Sequence, residues 1–128
     1  MLDNADLGKL LVRLTLGGLM LFHGIAKLLN GVGPIEAMMV ARGMPAFFAY
    51  GVFIGELLAP LMVILGYHTR IGALLIAFNM LVAIALVHTH ELLALSRNGG
   101  WALELQGFFL FIAIALIFLG PGRYKLKS

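Results

Sequence analysis

No cysteine occurs anywhere in the 128 residues. Disulfide stapling, thiol redox chemistry, thiolate metal sites and iron–sulfur clusters are excluded together, so any redox role must use a bound cofactor or a partner. Charge is scarce as well. Charged residues make up 12% and hydrophobic ones 62%, where a soluble domain carries about 25% and about 45–50%. Mean hydropathy is +1.03. A soluble enzyme, a nucleic-acid binder and a disordered segment are thereby excluded, and the expected solvent is a lipid bilayer. The net charge of +3 does not reverse this, because the nine Lys and Arg are strung singly along the chain with no basic cluster. A cleavable signal sequence is not expected either. The chain opens with Asp3 and Asp6 where positive charge is needed, and the apolar run that follows carries Arg13 and ends in no small-x-small site. It reads as a retained first membrane span in a single domain, residues 1–128.

A hydrocarbon core about 30 Å thick takes about 20 apolar residues of helix. Four stretches qualify, at about 7–29, 46–66, 70–90 and 101–120. Alternation of the strand kind is absent, so the expected fold class is all-α, an integral membrane bundle of four transmembrane helices. Tyr67-His68-Thr69-Arg70 is a tight turn that makes spans two and three antiparallel neighbours. Between spans one and two, Pro34 can start a short helix and Gly43 can end it, with Ile35, Met38 and Met39 on one face. That spacing predicts an interfacial helix, against the alternative of an irregular loop. With four spans, Lys9, Arg13, Arg70, Arg123, Lys125 and Lys127 share one side, and Lys27, Arg42 and Arg97 the other. Both termini are therefore expected in the cytoplasm.

Charges inside a bilayer are costly and ask for a partner or a task. Arg13 in the first span and Glu56 in the second fall at depths that a long side chain can bridge, which predicts an Arg13–Glu56 ion pair between the two helices. Pro60 cannot donate to the carbonyl of Glu56, leaving an acceptor open beside the carboxyl group. Asn79 lies near the same depth. A second polar layer collects toward the outer leaflet: His23 and Lys27 from the first span, His88 from the third, Glu104 and Gln106 from the fourth. Convergence of polar groups from three helices is what a lipophilic-ligand site requires, and histidine with acid suits proton-coupled chemistry such as quinone binding. The candidate ligand-binding set is thus Arg13, His23, Lys27, Glu56, His88, Glu104 and Gln106. Two readings stay open for Arg13 and Glu56, a packing lock and a functional pair. No metal site is expected, since His88 and His90 diverge on a helix, and a His23–His88 haem pair lacks a supporting motif. Gly17 and Gly24 lie on the charged stripe of the first span and permit close approach of another helix. Gly51-x-x-x-Gly55 is ordinary bundle packing or, less favoured, a dimerisation face.

Arg13 with Leu16-Gly17-Gly18, then His23-Gly24-Ile25-Ala26-Lys27, resembles the opening of the DoxX family. Gly55-Glu56 followed by Pro60, the turn Gly66-Tyr67-His68-Thr69-Arg70 and the closing Gly120-Pro121-Gly122-Arg123-Tyr124 are similar to later parts of it. One departure is visible: Lys125-Leu126-Lys127 stands where the family has a small residue, a Leu and an Asp. The resemblance implies a four-helix inner-membrane protein and a likeness to DoxD, a membrane subunit of thiosulfate:quinone oxidoreductase. It also implies a link to oxidative or thiol stress and to quinone resistance. Arg13, Lys27, Glu56 and Arg70 match the family pattern, with no settled role, and His23 and Glu104 resemble it more loosely.

Two functions from different classes follow. One is a quinone-linked redox accessory subunit of the inner membrane, with a quinone as the ligand and electrons supplied by a redox partner protein. The other is a non-enzymatic assembly partner or carrier of small lipophilic molecules. The bilayer is the expected surrounding. Homo-oligomerisation, the identity of the partner and catalysis by the isolated chain are left open, and nucleic acid is excluded.

Overall fold

A computed structural model describes residues 4–87 and 104–127. It is all-helical among those residues, with one isolated bridge between Tyr67 and Lys127. The first helix, α1, runs Ala5–Asn30. It starts where Asn4 accepts the Leu7 N–H and ends at Gly31, whose φ of +84° only glycine adopts readily. Asp6 in its first turn and Lys27 in its last agree with the helix dipole. The short helix expected before the second span forms as α2, Gly33–Ala41, with Pro34 in its first turn. Of its predicted apolar face, Met39 is buried and Ile35 and Met38 are half-buried.

Helix α3, Ala46–Leu65, is not regular. It opens with a 3₁₀ turn at Ala46–Gly51, passes through a π segment at Ile54–Leu58, and becomes α-helical over Ala59–Leu65. The π segment immediately precedes Pro60. Because that proline cannot donate to the Glu56 carbonyl, the ladder has already lost its i→i−4 bond there, and widening is the local accommodation. The helix closes in a Schellman motif: Tyr67 N–H donates to Met62 O at 2.9 Å and Gly66 N–H to Val63 O at 3.3 Å, with Gly66 at φ +72°. Helices α4, Thr69–Val87, and α5, Glu104–Leu119, complete the bundle.

Two helices, α1 and α3, are long and apolar enough to cross a membrane; α4 and α5 are apolar over shorter described lengths. The outer ends of the third and fourth expected spans, with His88, His90, Arg97 and Trp101, lie outside the described residues. The core is built from small and medium side chains of all four long helices: Leu16 and Met20, Ala59 and Val63, Ala73 and Ile76, Ala113 and Leu116. Apart from Phe109, which is in the core, most phenylalanines among the described residues point outward, Phe22 at 72% exposed and Phe118 at 81% among them. Small residues inside and large ones outside is the arrangement that close helix packing in lipid favours.

Candidate functional site

The stripe of α1 that carries Arg13, Gly17, Met20, Gly24 and Lys27 faces inward as expected, and its glycines bring α1 hard against α3. A Cβ on Gly24 would stand 2.0 Å from the Glu56 carbonyl oxygen, and one on Gly17 would stand 2.9 Å from the Pro60 carbonyl oxygen. The carbonyl that Pro60 leaves without a donor is thus the one that presses on Gly24. These contacts fix the antiparallel register: residue 24 lies level with 56, and residue 17 with 60–64.

That register overturns the expected Arg13–Glu56 pair. Arg13 is level with the far end of α3, about two turns of helix from Glu56. Its guanidinium is 1% exposed and donates to main-chain oxygens: Nε to Val63 O at 2.9 Å, Nη2 to Ile64 O at 3.0 Å, Nη1 to Pro121 O at 3.1 Å and to Tyr124 O. Two of these carbonyls belong to the last turn of α3, where Val63 O also accepts the Gly66 N–H, and two to the segment after α5. Arg13 therefore ties a helix end to the C-terminal segment. Leu126 and Lys127 N–H groups donate to the Gly66 carbonyl, and His68 N–H donates to Lys127 O, so the same segment clasps the α3–α4 turn.

Glu56 pairs instead with Lys27. The ammonium Nζ donates to both carboxylate oxygens, at 2.6 and 2.8 Å, and Asn79 Nδ2 donates to Oε2 at 2.9 Å. Glu56 is 2% exposed and the Lys27 side chain 32%. Three helices therefore converge on one carboxylate, with Gly55 letting Asn79 in: a Cβ on Gly55 would stand 2.5 Å from the Asn79 Cβ. Gly51, its partner in the G-x-x-x-G motif, is exposed and has nothing within 4 Å of an added Cβ, so the two glycines do not pack against the same helix.

The triad forms part of the wall of a cavity of about 510 Å³ between α1, α2, α3, α4 and α5. Four methionines, Met20, Met38, Met39 and Met80, and the rings of Phe48 and Phe78 are part of its apolar lining. Methionine walls adapt to the outline of a ligand at low cost. His23 lines the cavity too and packs edge-on against Phe109, with ring centroids 5.7 Å apart, and Gln106 is a further polar lining group. Of the candidate set, the structure thus gathers His23, Lys27, Glu56 and Gln106 at one cavity. Arg13 does not belong to it. Glu104 is exposed at the start of α5 and is not part of the lining, and His88 lies outside the described residues. The spacing of Ile35, Met38 and Met39 predicts an interfacial face; in the folded chain these residues form a wall of this cavity. Their signal in the sequence was the pair Met38–Met39 one turn after Pro34.

Within the site, Glu56 is an acceptor with three donors already placed, so its charge is matched. Lys27 has three N–H bonds and commits two of them to the carboxylate, leaving one for a ligand oxygen. The result is an apolar chamber with a single cationic donor held at fixed depth, together with an imidazole and an amide.

Comparison with known proteins places this arrangement in a family. A protein of Bacillus subtilis (strain 168) named "Putative oxidoreductase CatD" is 33% identical over 82 residues, 64% of this chain and 60% of that protein, so the match spans three fifths of the relative's length. No solved structure matches. The DoxX family model matches residues 8–89, which run from the first helix through α4 and hold Arg13, Lys27, Glu56, Arg70 and Asn79. The chain belongs to the DoxX family.

Proposed function

We propose that this chain is a four-span inner-membrane protein, and that its cavity holds the headgroup of a lipophilic carbonyl compound, a quinone, as an accessory subunit of a redox system. The carrying observation is the Lys27–Glu56–Asn79 cluster in the wall of a methionine- and aromatic-lined cavity. A quinone carries two acceptor oxygens on an apolar ring. The uncommitted Lys27 N–H donates to one of them, and the methionine and phenylalanine walls take the ring. Reduction to the quinol consumes two electrons and two protons. With no cysteine in the chain, the electrons come from a partner, and in this reading His23 and the Lys27–Glu56 pair, all lining the cavity, pass the protons. The relative named an oxidoreductase supports the redox direction. The cavity volume falls in the range of about 300–1,000 Å³ common for small-molecule sites.

The second reading is a carrier of lipophilic molecules or an assembly partner without chemistry. It is favoured by one observation, the three hydrogen bonds that the protein itself already makes to Glu56, which is also what a packing lock would have.

Native mass spectrometry of the protein released gently from its own membrane tests the first reading. The expected result is a bound mass equal to a quinone. Its release is expected in Lys27→Met, with at least a tenfold loss of affinity for a short-chain quinone, the scale of one charged hydrogen bond. A chain that carries only phospholipid, or that arrives in complex with another protein and no quinone, sinks the redox reading in favour of the second.

A further inference from the structure

A second recess, of about 420 Å³, lies at the opposite end of the bundle from the cavity, where α4 begins. Thr69, Arg70, Pro121, Gly122 and Lys125 line it. We propose that it binds a phosphate group, presented either by the headgroup of an anionic phospholipid or by free inorganic phosphate.

Three observations carry this. The first is an orphaned hydroxyl. Thr69 is 1% exposed, and its Oγ1 has no hydrogen-bond partner among the described residues. A buried hydroxyl without a partner is uncommon in a folded chain, and a missing ligand or water is a standard reason for it. The second is the start of a 19-residue helix. Ile71 and Gly72 N–H groups both donate to the His68 carbonyl, at 3.0 and 3.1 Å, whereas the Thr69 and Arg70 N–H groups have no main-chain acceptor among the described residues. Free N–H groups at the positive end of a helix dipole suit an anion. The third is a fixed cation. Arg70 Nε donates to Ile117 O at 2.9 Å, which leaves both terminal nitrogens of the fork for another acceptor. The guanidinium lies so close to Gly120 that a Cβ there would stand 2.7 Å from Nη2. The neighbouring carboxylate of Asp6 is met by Arg123, whose main-chain N–H donates to it at 3.1 Å and whose Nε lies 3.8 Å from its other oxygen.

A phosphate oxygen can accept from the Thr69 hydroxyl and the two free N–H groups while others meet the Arg70 fork, the planar geometry that suits phosphate. Apolar Leu119 and Ile71 also line the recess, so the acyl chains of a lipid have a surface to follow.

The full chain in detergent micelles is titrated by native mass spectrometry with dihexanoylphosphatidylglycerol, dihexanoylphosphatidylcholine and inorganic phosphate. Saturable binding of phosphatidylglycerol, about tenfold tighter than phosphatidylcholine, supports the site with a lipid as its source. Saturable binding of inorganic phosphate supports it with a free anion as the source. Thr69→Val is expected to weaken the bound probe about tenfold, Thr69→Ser to leave it unchanged, and Arg70→Gln, which alters an exposed side chain, to weaken it at least as much as Thr69→Val. No saturable binding of phosphatidylglycerol or phosphate to the wild type overturns the proposal, as does equal affinity in the wild type, Thr69→Val and Arg70→Gln.

Discussion

Two glycines of α1 differ in what surrounds them, and that difference is measurable. A methyl group at Gly24 would stand 2.0 Å from the Glu56 carbonyl oxygen, an atom of the backbone that cannot step aside. Gly24→Ala is expected to force α1 and α3 apart and to cost about 3 kcal/mol, the upper range for overpacking. At Gly18 there is nothing within 4 Å of an added Cβ, so Gly18→Ala gains helix propensity and is expected to be neutral or to stabilise by up to about 1 kcal/mol. Thermal unfolding of the two variants in the same detergent checks the pair, and similar shifts would contradict the packing described. Arg13 permits a comparable test. Arg13→Lys keeps the charge but replaces a fork serving four carbonyls with one ammonium. Hydrogen bonds between membrane helices average about 0.6 and reach about 1.7 kcal/mol, so a loss of about 2–4 kcal/mol is expected, read as a lowered melting temperature.

Among the elements, α3 departs furthest from regularity, and it carries the carboxylate. Lys27 and Glu56 are each other's compensation. Replacing one alone, as Lys27→Met or Glu56→Gln, strands a polar group in an apolar wall, and Lys27→Met, which leaves the carboxylate charged, should cost about 3–5 kcal/mol. The double variant is expected to recover a large part of that loss. Full additivity in such a double-mutant cycle would mean that the two groups do not interact. Much of the element order was legible in the sequence: α2 falls between Pro34 and Gly43, and α3 and α4 meet at the tight turn read at Tyr67-His68-Thr69-Arg70. The pairing was not. Depth counted from the ends of each span set Arg13 beside Glu56, whereas the real register is fixed by which small residues touch. Gly17, Gly24 and Pro60 held that information: matching the glycines of α1 to the proline-freed carbonyl of α3 sets 24 level with 56 and places Lys27, not Arg13, beside the carboxylate. The π segment adds a rotation that no simple periodicity conveys. Gly55 and Glu56, which meet Asn79, both lie within that segment.

For the molecule as a whole, the arrangement of charge predicts orientation. In the proposed four-span topology, setting aside Arg13 and Lys27 within the first span, five basic residues fall on the side of both termini and two on the other. A reporter active only in the cytoplasm, fused after Ser128, should therefore be active, and one active only outside the cell should be silent. The opposite pattern would invert the proposed topology and place the phosphate recess at the outer surface.

Arg13 also imposes an order on biosynthesis. Its acceptors at Val63 and Ile64 lie 50 and 51 residues along the chain, and those at Pro121 and Tyr124 lie 108 and 111 residues away. At a translation rate of about 5–20 residues per second, roughly 6–22 s separate the synthesis of the guanidinium from that of its last carbonyl. During that interval a charge destined for the interior has only part of its shell.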